Sequence, residues 1–96
     1  MTEDNLEADD SLLTVVGIRI KRIRVETGFS QQEFAKAAGM SNNYAWRVEA
    51  GRQNMSLKTL SRIAIALNIS MADLLDGIDS DPATIGTRPY NRKKSC

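Results

Sequence analysis

The stretch SQQEFAKAAGMSNNYAWRVEAG, residues 30–51, decides how this chain folds. Ser30 stands where a helix would begin, and Glu33 follows at capping-box spacing, so each side chain can satisfy the other's backbone N–H. Phe34, Ala35 and Ala38 then share one helical face. Gly39 interrupts that pattern where a positive φ lets the chain turn sharply. Met40 supplies an apolar plug, and Ser41 is placed to cap a second helix over about residues 42–50. Ala45 and Val48 face inward on that helix, and Gly51 ends it. The prediction is two short helices packed across a tight glycine turn.

On the second helix the inward positions leave Asn42, Asn43, Trp46 and Arg47 facing outward. A compact helix pair with a glycine in its turn is the arrangement that lays a helix in the major groove of DNA. The groove admits one helix and is read from base edges. Asn matches adenine N6 and N7, and Arg matches guanine O6 and N7. Asn42 has a competing use in capping its own helix. Trp46 has two openings, a thymine-methyl or sugar contact, or a fold over Arg47 as a cation–π partner.

The longer run GFSQQEFAKAAGMSNNYAWRVEAGRQNMSLKTLSRIAIALNIS resembles the phage-repressor-like helix-turn-helix family, which includes Cro and many small bacterial repressors. The shared pattern is roughly G-hydrophobic-[ST]-Q-x-x-[LF]-A-x-x-[AS]-G-hydrophobic-[ST], then a helix closing in E-x-G and a Ser-capped fourth helix. It covers about residues 15–77. Within it, NNYAWRVEAGRQNMSLKTL is similar to restriction–modification controller proteins, which often read Y-I-x-x-I-E-x-G-x-R-N; here Arg52 and Asn54 stand near the last positions, with Gln53 between them. The resemblance implies an all-α, compact five-helix domain with the helix-turn-helix at helices 2 and 3. It puts Asn42, Asn43 and Arg47 at base-reading positions, whereas the family commonly has a small or polar residue where Trp46 stands. It makes Gln31 a phosphate contact that also steadies the start of helix 3. It pairs Arg24, near the end of helix 1, with Glu49 as a structural ion pair. It also points to Met71, Leu75 and Ile78 as dimer contacts, with Leu75 equally placed for the core.

The flanking sequence fits this frame. Val16, Ile20 and Ile23 form the apolar stripe of a first helix over about residues 14–27, with Ile18 and Val25 off it. Arg19 and Arg22 also lie off the stripe, suited either to phosphate or to a solvated face. Gly28 ends the helix and Phe29 turns into the core. Residues 52–55 read as a polar loop, and Ser56 is placed to cap a fourth helix with Leu57, Leu60, Ile63, Ala64 and Leu67 on one face. Ser70 caps a short last helix, MADLLDG. Arg52, Asn54 and Lys58 surround the start of helix 4, where free backbone N–H groups suit phosphate, and Tyr44 is expected to pack on the flank of helix 3 with its hydroxyl toward a phosphate. Three segments follow: an acidic, disordered leader (1–13), the helix-turn-helix domain (14–77), and a flexible basic tail (78–96).

Composition narrows the function. The chain has 96 residues and a net charge of +1, but that charge is segregated: −5 over residues 1–13, +4 over 14–77 and +2 over 78–96. A basic domain suits a polyanionic partner. There is no histidine and a single cysteine, Cys96, so neither a Cys/His zinc site nor an intramolecular disulfide is expected, and no cofactor. No paired-carboxylate or nucleophile–base arrangement points to an enzyme, and no catalytic residue is assigned. Apolar runs are far too short for a membrane span, and no secretory signal opens the chain, so a cytoplasmic, nucleoid-associated protein is expected. The reading is a regulator of transcription, a repressor or autoregulating controller that binds a palindromic site in double-stranded DNA as a homodimer. The rival is an antitoxin-type interaction module that binds a partner protein through its tail.

Overall fold

The computed structural model describes residues 11–90. Among them lie six helices and no strand: α1 Ser11–Thr27, α2 Gln31–Ala38, α3 Asn42–Glu49, α4 Leu57–Ala66, α5 Met71–Leu74 and α6 Pro82–Ile85. None of these helices is long and apolar enough to cross a membrane.

Serine sets four of the boundaries. Ser30, Ser41, Ser56 and Ser70 sit in extended backbone, and each hydroxyl accepts from the N–H three residues on. At Ser30 the capping box is complete, because Glu33 Oε1 also accepts from the Ser30 N–H at 2.8 Å. Gly39 closes α2 at φ 72°, a left-handed conformation, and its successor Met40 bonds back to the Ala35 carbonyl. The turn therefore forms as its sequence requires.

The core is a small apolar cluster. Ile20 of α1, Phe34 of α2, Val48 of α3, Ile63 of α4, its terminal Leu67 and Leu74 of α5 are its largest fully buried side chains. Alanines 35, 38, 45 and 64 fill the space where helices come close. Ile18 and Val25, off the α1 stripe, are 60% and 58% exposed.

α1 crosses the back of α3 at Gly17. A Cβ there would lie 2.6 Å from the Val48 carbonyl oxygen and 2.9 Å from that of Glu49. Only glycine allows that approach. A second glycine, Gly51 at φ 76°, lies against Thr14 in the same way, with 2.8 Å between a Cβ placed there and the Thr14 Cα.

Three expectations are corrected. The first helix starts at Ser11, not residue 14, because Leu12 extends the Val16–Ile20 stripe by one turn and packs on the core. Residues 78–90 are not featureless: Ile78 packs on the core, and α6 adds a sixth helix, capped by the Asp81 carboxylate at the Ala83 N–H, with Pro82 in its first turn and Gly86 as its left-handed end. Leu57 is 73% exposed rather than in the core. It occupies the first position of α4, at the edge of the stripe that Ile63 and Leu67 centre. The remainder of the acidic leader (1–10) and the tail end (91–96) lie outside the described residues.

Gly17→Ala tests the crossing. Helix propensity alone would favour alanine by about 1 kcal/mol. Because the added methyl meets fixed backbone oxygens, the variant should instead lose at least about 1–3 kcal/mol, read from its urea midpoint. A stabilised variant would contradict the close approach.

Candidate nucleic-acid interface

α3 divides its side chains by face. Ala45, Val48 and Glu49 are buried, Asn42 and Asn43 are exposed, Trp46 is 51% exposed and Arg47 is half-buried. The residues predicted to read bases thus share one outer surface.

The cap at the start of α3 belongs to Ser41, whose Oγ accepts from the Tyr44 N–H at 3.0 Å. Asn42 is therefore not the capping residue, and its amide faces solvent. Trp46 does not cover Arg47. The cation–π partner is Tyr44, whose ring centroid lies 5.6 Å from the Arg47 guanidinium carbon. Tyr44 is half-buried and packs against the core, as its flanking position suggested.

Behind α3, Arg24 and Glu49 form the expected pair. Arg24 Nε donates to Glu49 Oε2 at 2.6 Å and Nη2 to Oε1 at 3.1 Å, and both side chains are nearly buried. Arg24 Nη1 also donates to the Phe29 carbonyl at 2.8 Å, which ties in the loop before α2. Gln31 joins the same network, with Nε2 donating to Glu49 Oε1 at 3.1 Å. One N–H of the amide expected to meet phosphate is thus spent on Glu49.

The remaining predicted residues distribute as follows. Arg52, Asn54 and Lys58 are exposed on the α3–α4 loop and the first turn of α4. Arg19 is not free for DNA: its Nη1 and Nη2 donate to the Leu74 and Asp76 carbonyls at 3.1 and 2.8 Å, closing the end of α5. Among the described residues, Arg22 makes an exposed, 3.9 Å contact with Glu26. Met71, Leu75 and Ile78 are half-buried against the core, and the latter two line an apolar groove of about 280 Å³ with Leu12, Val16, Met55 and Leu60.

One residue of the site was not foreseen. Gln53 accepts from Arg47 Nε through its Oε1 at 3.0 Å, across the turn made by Gly51. No periodic signal exists for such a contact, because the two residues belong to different elements.

The helix-turn-helix family model matches residues 20–74, more than half of the chain. The uncharacterized HTH-type transcriptional regulator y4dJ of Sinorhizobium fredii is 36% identical over 74 residues, covering 77% of this chain and 94% of that protein. Among solved structures, the restriction-modification controller protein C.AhdI from Aeromonas hydrophila superposes with a TM-score of 0.63 at 34% identity, over 65% of this chain and 94% of that one. SinR, a master regulator for biofilm formation solved in complex with DNA, gives a TM-score of 0.60 at 37% identity, over 64% of this chain and 98% of that one.

The capping assignment separates two neighbours on α3. Ser41→Ala should cost about 1 kcal/mol of stability. Asn42→Ala should stay within about 0.5 kcal/mol of the parent, as an exposed substitution with no side-chain bond to lose among the described residues. Chemical denaturation of both variants checks this, and a larger loss at Asn42 would return the cap to it.

Proposed function

The chain belongs to the helix-turn-helix family, and on that premise we propose that it is a sequence-specific regulator of transcription that binds double-stranded DNA as a homodimer. The observation that carries the reading is the outer face of α3, where Asn42, Asn43, Trp46 and Arg47 stand together on a helix buried along its other side. In this reading Asn42 and Asn43 meet adenine edges, Arg47 meets guanine, and Trp46 covers a thymine methyl or a sugar. Tyr44, Arg52, Asn54 and Lys58, with the second N–H of Gln31, hold flanking phosphates and set the register. Backbone N–H groups at the starts of α2 and α4 add neutral donors to the same strands. The chemistry needed is binding, not catalysis.

A helix of eight residues spans only a few base pairs. A second copy on a palindromic site doubles the sequence read, with half-sites about 34 Å apart. The half-buried apolar residues Met71, Leu75 and Ile78 are the proposed contact between copies. Repression of its own gene, in the manner of a controller, follows if the site lies in its own upstream DNA.

Fluorescence anisotropy with the upstream duplex and a scrambled duplex, at two salt concentrations, tests the reading. Binding to the first should be at least about a thousandfold tighter, and its logarithm should fall with slope about −0.9 per phosphate neutralised. Equal, weak binding to both would remove the regulatory role. Sedimentation tests the assembly separately. The parent should sediment as a dimer and Ile78→Glu as a monomer that keeps single half-site binding; an Ile78→Glu variant that stays dimeric would move the contact elsewhere, and a parent that is monomeric on the full site would overturn the dimer.

A further inference from the structure

We propose that Gln53 is a positioning residue for DNA readout, holding Arg47 so that the Nη1/Nη2 end of its guanidinium is the part offered to a base. The proposal rests on the reading of Arg47 as a base contact. It adds a residue outside the recognition helix to the determinants of specificity.

Gln53 is half-buried in the loop between α3 and α4. Its Oε1 accepts from Arg47 Nε at 3.0 Å, and its Nε2 donates to the Asn54 carbonyl at 3.2 Å. Both ends of the amide are thereby matched. Rotating it by half a turn would set an NH2 against the guanidinium and an oxygen against a carbonyl, so the acceptor stays on Arg47. The second restraint is Tyr44, whose ring lies 5.6 Å from the guanidinium carbon. Tyr44 is itself packed on the core, so this surface is not free to drift.

The consequence is a choice of edge. A guanidinium can grip guanine O6 and N7 with two N–H groups, either from its Nε side or from its Nη1/Nη2 end. Gln53 occupies Nε. Nη1 and Nη2 have no bonded partner among the described residues, so they remain for the base. An arginine ordered beforehand also loses less rotamer freedom on binding than a free one. That advantage is realised only where the base offers two acceptors in the right place, so it appears as discrimination rather than general affinity.

The test compares the full-length parent with Arg47→Ala, Gln53→Leu and Gln53→Glu on a duplex obtained by binding-site selection and on its single base-pair substitutions. Arg47→Ala should flatten the preference at one base pair of each half-site. Gln53→Leu should weaken the preference at that same base pair about two- to tenfold, the scale of re-ordering one long side chain. Gln53→Glu keeps an acceptor on Nε; its added charge weakens binding to every duplex, but the discrimination ratio should return toward that of the parent. A Gln53→Leu ratio equal to the parent's, alongside a flattened Arg47→Ala, would overturn the proposal and leave the reading of Arg47 standing. Loss at a different base pair would overturn it too, by making Gln53 a base contact in its own right. If Arg47→Ala leaves every preference intact, the reading of Arg47 fails and the positioning role falls with it. Thermal melting of each variant confirms that folded proteins are compared.

Discussion

The crossing of α1 behind α3 is the contact on which the rest of the molecule depends. An isolated helix of eight residues is unstable in water, so α3 owes both its existence and its direction to what packs against it. Gly17 lets the α1 backbone approach the Val48 and Glu49 carbonyls. About two turns further along α1, Arg24 reaches the Glu49 carboxylate with two hydrogen bonds and the Phe29 carbonyl with a third. A buried ion pair of this kind adds little net stability, since desolvating both charges offsets their attraction, but losing one partner leaves the other stranded at a cost of about 3–5 kcal/mol. Its contribution is geometric. It fixes the end of α3, the entry to α2 and, through Gln31, the first turn of α2 around one carboxylate.

Much of this was legible in the chain because the signals are local. The four serine caps lie next to the apolar periods they open, and Ser30 with Glu33 carries a two-residue signature. Gly39 marks its turn by conformational need. The Arg24–Glu49 pair spans 25 positions and came from family resemblance, not from any local pattern. Other features were hidden. Gly17 reads as a weak point in a helix until the neighbouring carbonyls are in place, and Arg19 reads as a surface charge until α5 presents its last carbonyls. Leu12 was masked by the acidic residues before it. In α6, Pro82 and Gly86, residues that interrupt a helix at its middle, become with the Asp81 cap the start and stop of a single helical turn.

The outer face of α3 contains two kinds of candidate reader. Asn42 and Asn43 are short, exposed and free to choose their partners, since Ser41 has taken the capping task. Arg47 is longer and already engaged on one edge and one face, by Gln53 and Tyr44. An asparagine amide has little rotamer freedom to lose, so it needs no support to bind economically in entropy. An arginine has much more to lose, and the structure surrounds that side chain with restraints that the asparagines lack. Trp46 needs no such help, because its bulk is rigid.

The same network extends to the proposed dimer contact. Arg19 ties α1 to the Leu74 and Asp76 carbonyls at the end of α5, while Gly17 and Arg24 tie α1 to the end of α3. If two copies meet at Met71, Leu75 and Ile78, the path from their contact to each recognition helix runs through a single helix, tied to α5 at its middle and to α3 at its middle and near its C-terminal end. Two recognition helices must reach successive major grooves, about 34 Å apart, and an error of a few ångströms at the contact would put one of them over a phosphate backbone. A contact placed on a flexible segment could not maintain that spacing. One placed on α5 and the residues just after it inherits the rigidity of α1, so the constraint that orients α3 within one copy would also set the spacing between two.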